Sequence, residues 1–243
     1  MTTSVSFQTR ARTVDHLGRE QIADCPTAIS ELWKNSYDAY AKNVELHIID
    51  GEIPVATIFD DGHGMSREDF VDKWLVIGTE SKKEKSDKTL DELNGLRHRA
   101  IQGQKGIGRL SSAIMGPLLL LVSKKKNEDF VACLIDWRLF ENPYIYLHDI
   151  QIPIESFSNP RELISLLPDM YNTLMGNIWG SGNPEKTERD IRIESAWHAF
   201  DKLEKKDFAI IITTAFNEYA ITALKKEAVD YLLKPIDTDD LAE

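Results

Sequence analysis

The nine residues ELWKNSYDA, Glu31 to Ala39, constrain this chain more than any other stretch. Glu31, Asn35 and Asp38 recur at steps of four and three, which on an α-helix puts a carboxylate, an amide and a second carboxylate on one face. Ile29, Leu32 and Trp33 fall on the neighbouring faces, so such a helix packs on a core while its polar stripe looks elsewhere. Trp33, like Trp74 further on, reads as a core side chain. Asp24 and Pro26 supply a start signal, a capping side chain with a proline in the first turn, and the helix is expected to run to about Lys42. Taken alone, a stripe of this kind is most often a solvated face.

The neighbouring segments decide how such a helix is used. Val44 to Ile49 and Val55 to Phe59, separated by the turn formers Asp50, Gly51 and Pro54, predict an antiparallel strand pair with Asp60 at its end. Ser66 and Asp69 predict the cap of a helix over Arg67 to Leu75. The polar run SKKEKSDK, Ser81 to Lys88, follows as a loop that fits a solvated connection and a moving lid equally well. Gln102 to Ser112 combines a glycine loop with the start of a helix, and Leu118 to Ser123 and Phe130 to Asp136 read as two further strands. Pro143 to Phe157 is irregular or extended. Arg161 to Trp179 looks helical with an interruption at Pro168, and residues 181–189 have the composition of a linker.

Composition narrows the class. A 42% hydrophobic share with 28% charged residues fits a globular chain. A net charge of −11 disfavours direct binding of nucleic acid or anionic lipid, for want of excess cations. Cys25 and Cys133 are too few for a disulfide framework or zinc cluster and suit reduced thiols. The longest apolar run, Ile114 to Val122, contains Gly116 and Pro117 and is too short to span a bilayer of ~30 Å. No membrane association and a cytoplasmic location are therefore expected.

Three motifs follow one another: ELWKNSYDA from Glu31, DDGHGM from Asp60 and GQKGIG from Gly103. Each alone is weak, since an acidic face, a D-x-G-x-G turn and a glycine loop all have bland structural uses. In order and spacing they resemble the three ATP-binding boxes of the GHKL superfamily, which includes gyrase, heat-shock chaperones, histidine kinases and MutL. The wording is similar to the chaperone branch, and WLVIGTESK, Trp74 to Lys82, resembles the segment leading into that family's ATP lid. The resemblance implies a Bergerat-type α/β two-layer sandwich over residues 1–180, with a mixed, mainly antiparallel sheet. It also implies ATP and Mg²⁺ as ligands, slow ATP hydrolysis and a lid closing over Ser81 to Lys105.

By the same resemblance, Asp60 accepts from the adenine amino group, Gly62 and Gly64 let the backbone pass the purine and Met65 flanks its ring. Asn35 is the Mg²⁺ ligand, Asp38 supports that site, and Glu31 is the general base. Thr79 belongs to the nucleotide contacts. Gly103, Lys105, Gly106, Ile107 and Gly108 form the phosphate loop, whose amides suit an anion. Gly108 is followed by Arg109 and Leu110, so this is no Walker A loop, and a third dinucleotide-fingerprint glycine is lacking. His63, without a Cys or His at ligand spacing, reads as a loop residue.

The last stretch, Ile210 to Asp237, resembles the second half of a LytTR-type response-regulator receiver domain, with Thr214, Tyr231 and Lys234 at its switch and phosphate-contacting positions. The alternation from Phe208 onwards predicts an incomplete βαβα unit within residues 190–243. Neither Asp149 nor Asp190 has the setting of a phosphoacceptor. The leading expectation is an ATP-driven conformational switch, with a homodimer or a protein partner through the C-terminal segment. The alternatives are a signalling module that binds nucleotide without turnover, and a fused fragment whose tail is idle.

Overall fold

The computed structural model describes residues 4–51, 54–78, 93–103 and 108–200, and the backbone of residues 210–214. Its framework is one six-stranded sheet in the order β1-β2-β6-β3-β4-β5. The strands are β1 (Val44–Ile49), β2 (Val55–Asp60), β3 (Leu118–Lys124), β4 (Phe130–Asp136), β5 (Ile154–Phe157) and β6 (Ile210–Thr214). β1 pairs antiparallel with β2, in the register Val44 to Asp60 and Ile49 to Val55, as the turn between them predicts. β3, β4 and β5 form a second antiparallel run. All seven residues of β4 are buried, so both faces of the sheet are covered there.

β6 joins the two runs. It lies between β2 and β3 and is parallel to both, with Val55, Ile210 and Leu118 in register. Both its edges are therefore taken by strands of the N-terminal region, in place of the neighbouring strand that the receiver-like tail was expected to supply. Tyr231 and Lys234 lie outside the described residues.

The helices follow their caps more closely than their composition. α1 (Arg12–Gly18), which the sequence pattern did not suggest, buries Val14, and Ala11 is buried at its N-cap. α2 (Cys25–Asp38) is capped by Asp24, whose carboxylate accepts from the Thr27 amide at 2.8 Å. It ends four residues short of the expected Lys42 because Tyr40, buried at 2% exposure, takes a left-handed backbone (φ 59°). α3 (Arg67–Asp69) opens with the expected capping box of Ser66 and Asp69, then widens into π-helical turns over Phe70–Trp74. α4 (Ser112–Met115) continues a 3₁₀ turn over Gly108–Ser111.

α5 (Glu162–Trp179) runs without a break through Pro168, contrary to the expected interruption. Leu163, Leu167, Met170 and Leu174 form one buried stripe along it. Burying four such side chains stabilises the helix by roughly 6–12 kcal/mol at about 1.5–3 kcal/mol each, which outweighs the ~3 kcal/mol cost of an internal proline. α6 (Glu188–Ala199) begins inside the stretch 181–189 whose composition suggests a linker. Its start is a capping box: Thr187 accepts from the Asp190 amide, and Asp190 accepts in return from the Thr187 amide.

Asp190 also accepts from the Ser181 amide and hydroxyl. These bonds, those of Thr187 foremost, hold its carboxyl far below the usual range. Asp149 is equally committed: Arg192 donates to both its oxygens, at 3.0 and 2.6 Å, and lowers its pKa. Arg189 donates to the Asp149 carbonyl and to the Asn177 side chain, and Trp197 to the Asn177 carbonyl, so α6 is latched onto α5. Both carboxylates are thus committed to holding α6 in place.

Candidate functional site

α2 carries the polar stripe. Ala28 and Ser36 are its buried residues, and Glu31, Asn35 and Asp38 sit half-buried on the adjoining face. This geometry turns Trp33 outward, 46% exposed, rather than into the core where it was expected; Trp74 does pack against the core. Gly108 lies directly against the stripe. A methyl group added there would stand 3.3 Å from Glu31 Oε2 and 3.7 Å from both polar atoms of the Asn35 side chain. Glu31 pairs with Lys34 at 2.6 Å. The Asn35 carboxamide has no hydrogen-bond partner among the described residues.

Asp38 reaches the other end of the glycine loop. Its two carboxylate oxygens accept from the Gln102 amide at 2.8 Å and the Gly103 amide at 3.0 Å. Lys105, Gly106 and Ile107, and Thr79 with most of the expected lid, lie outside the described residues.

Asp60, the last residue of β2, faces α2. Its Oδ2 accepts from the Ser36 hydroxyl and its Oδ1 from the Gly62 amide, each at 2.9 Å. Burial pushes its carboxyl above the ordinary range, although the Gly62 amide and the Ser36 hydroxyl both oppose the shift and Asp61 adds to it. The turn that follows has no room for side chains. A Cβ at Gly62 would come within 2.8 Å of Asp60 Oδ1, and one at Gly64 (φ 67°) would overlap the Lys124 carbonyl oxygen at 2.0 Å. The Met65 amide donates to Ser123 Oγ at 2.8 Å, which ties the turn to β3. His63 is exposed; its ring meets the Gly64 carbonyl oxygen at 2.9 Å, and its amide donates to the Ala39 carbonyl at 2.9 Å.

Several residues that hold this site went unmarked by the motifs. Asn94 donates to the carbonyls of Tyr40 and Asp61 at 3.2 and 3.1 Å. Arg99 lies over the Tyr37 ring and donates to the carbonyls at the end of α2. Arg109 donates to the carbonyls of Lys73 and Trp74. Ser36 and Ser123 complete the set. A buried serine one residue after Asn35 has no sequence signature of its own; only the partner across space gives it meaning.

The region holding these residues, 24–159, matches the family described as histidine kinase-, DNA gyrase B- and HSP90-like ATPase, over more than half of the chain. The chain belongs to this ATPase family. It is also similar to the DNA mismatch repair protein MutL of Caldanaerobacter subterraneus subsp. tengcongensis, at 32% identity over 120 residues, and to that of Clostridium beijerinckii, at 28% over 119 residues. Each match takes in 49% of this chain but only 19% and 17% of the respective MutL sequence. These relatives are mismatch repair proteins, and the chaperone-like wording of the boxes stands apart from them. The mixed α/β architecture is consistent with the family fold. No helix among the described residues is long and apolar enough to cross a membrane.

Proposed function

We propose that the chain binds Mg·ATP between α2, the Asp60 turn and the glycine loop, hydrolyses it slowly and uses the nucleotide as a conformational switch. One observation carries the reading: eight residues of a single helix touch both ends of the expected ligand site. Ser36 fixes Asp60, the acceptor for the adenine amino group, while Glu31 and Asn35 face Gly108 and Asp38 holds Gly103. Gly62 and Gly64 admit the purine edge, and Met65 flanks it.

Asn35 suits a hard cation, since its carboxamide oxygen is uncommitted among the described residues and lies beside the loop. Magnesium held there would supply charge neutralisation for the phosphates. Glu31, paired with the Lys34 ammonium at 2.6 Å, would orient a water for attack on the γ-phosphorus and take its proton as the bond to the β,γ-bridging oxygen breaks. Release of ADP and phosphate completes the step.

The test is calorimetric titration with ATP and magnesium beside a phosphate-release assay. Asp60→Asn is expected to abolish binding, and Glu31→Ala to bind ATP as tightly as the parent while releasing no phosphate. Turnover retained in Glu31→Ala removes that residue as the base; ATP binding retained in Asp60→Asn removes the site. Wild-type affinity should also fall on acidification through the raised Asp60 pKa, because the acceptor must be anionic. It is fully present above that pKa and lost below it.

A further inference from the structure

The segment 93–103 runs along the C-terminal end of α2, held by two reciprocal contacts. From the helix, the Asp38 carboxylate accepts from the consecutive amides of Gln102 and Gly103. From the segment, Arg99 Nη1 donates to the Ala41 carbonyl at 2.9 Å and the Tyr37 carbonyl at 3.4 Å. The guanidinium lies 4.5 Å from the centre of the Tyr37 ring and 5.8 Å from that of Tyr40, and the Arg99 amide donates to Tyr40 Oη at 3.4 Å. Asn94 secures the start of the same segment.

Helix C-termini favour cations because their last carbonyls are unsatisfied, and aromatic faces attract guanidinium. Arg99 meets both demands at once. A lysine meets them less well, since a single ammonium lacks the planar fork and the stacking surface.

We propose that Arg99 is a positioning residue: it pins the chain four residues ahead of Gly103, so that the start of the glycine loop is fixed before any ligand arrives. This inference rests on the nucleotide reading above and extends it, because it assigns Arg99 to the triphosphate end of the ligand and not to the purine end. Gly108, at the far end of the loop, already lies against Glu31 and Asn35. With Gly103 held by Asp38 and Arg99, both ends of the loop are set by α2. A ligand then gains affinity because it need not order them. Asp60, held separately by Ser36 and Gly62, does not depend on the clamp.

The experiment compares the full chain with Arg99→Met and Arg99→Lys by calorimetry against ATP with magnesium and against adenosine, with hydrogen exchange read at the Gln102 and Gly103 amides without ligand. Arg99→Met is expected to speed exchange at both amides at least tenfold, and to weaken ATP about tenfold and adenosine less than twofold. Arg99→Lys should fall between. Equal weakening of ATP and adenosine overturns the proposal in favour of a general structural role, and so does unchanged exchange at the two amides. Wild-type protein that binds neither ligand overturns the nucleotide reading itself. The exchange result, which involves no nucleotide, separates that failure from failure of the clamp. Arg99 is only half-buried, and thermal melts of both variants verify that they fold.

Discussion

Ser36→Ala gives the most direct test of how the site is built. The Ser36 hydroxyl is 4% exposed and donates at 2.9 Å to a carboxylate whose pKa burial has already raised. A hydrogen bond to a charged group contributes about 1.5–3 kcal/mol, against roughly 0.5–1.5 kcal/mol for a neutral pair. Removing it therefore penalises ionised Asp60 by ~1–1.5 kcal/mol more than the protonated form. The Asp60 pKa should therefore rise further. A raised carboxyl pKa means that its ionisation works against the fold. Its contribution is most favourable below the ordinary value of 3.8 and is lost as pH rises through the folded value. The variant should lose stability by about 2 kcal/mol at pH 7, and by visibly less once Asp60 is protonated. Carbon-detected titration of the Asp60 carboxyl gives the shift, and urea unfolding at pH 7 and at a pH below the measured midpoint gives the energies. An unmoved or lowered Asp60 midpoint, or an equal loss at both pH values, refutes the account.

Other positions offer independent tests. Gly64→Ala combines a left-handed backbone with a Cβ 2.0 Å from the Lys124 oxygen, whereas Gly95→Ala has a similar φ, 69°, but no atom within 4 Å. The second should cost about 1–2 kcal/mol in urea unfolding from backbone strain alone, and the first at least ~2 kcal/mol beyond that; equal losses would show that the turn can shift off β3. Arg192→Ala leaves the buried Asp149 carboxylate without its main partner and should destabilise the fold at pH 7. Asp149 has a lowered pKa, so the stability it lends is present above the ordinary carboxylate value and vanishes as pH falls through the depressed one. The penalty should therefore shrink in acid, as denaturant curves at several pH values would reveal. Deleting Phe208 to Glu243 removes β6 and exposes the edges of β2 and β3, so light scattering should detect self-association. A monomeric truncation melting at the parent's temperature would contradict a central β6.

Sequence periodicity was informative wherever burial and chain geometry share one period. The β1–β2 and β3–β4 pairs, the Asp24 and Ser66 caps and the end of β2 at Asp60 all follow from local pattern. Features that depend on distant partners were not legible. Pro168 reads as a helix breaker until four buried side chains are counted against it. Residues 181–189 read as a linker, although Thr187 and Asp190 make one of the clearest helix starts in the chain. Trp33 looks like core because it is large and apolar, but the small residues Ala28 and Ser36 are the ones that α2 buries. At the site, Glu31, Asn35 and Asp60 could be singled out by type and spacing. Ser36, Arg99 and Arg109 could not, since what identifies them is a carbonyl or carboxylate supplied by another segment.

The arrangement of α2 bears on how binding at one end is felt at the other. Ser36 and Asp38 are two residues apart, yet one bonds the acceptor at the end of β2 and the other bonds the start of the glycine loop. A helix is stiff over so short a span, so any rotation or shift that improves one contact displaces the other. The two ends of the site are thereby coupled through covalent geometry, and no chain of intervening side chains is needed. The far ends of the same segments are anchored separately, with Met65 on Ser123 of β3 and Arg109 on the carbonyls of Lys73 and Trp74. Movement of α2 must therefore be taken up between Asp60 and Met65, the stretch that contains Gly62 and Gly64, where the backbone can absorb a change in dihedral angle at least cost.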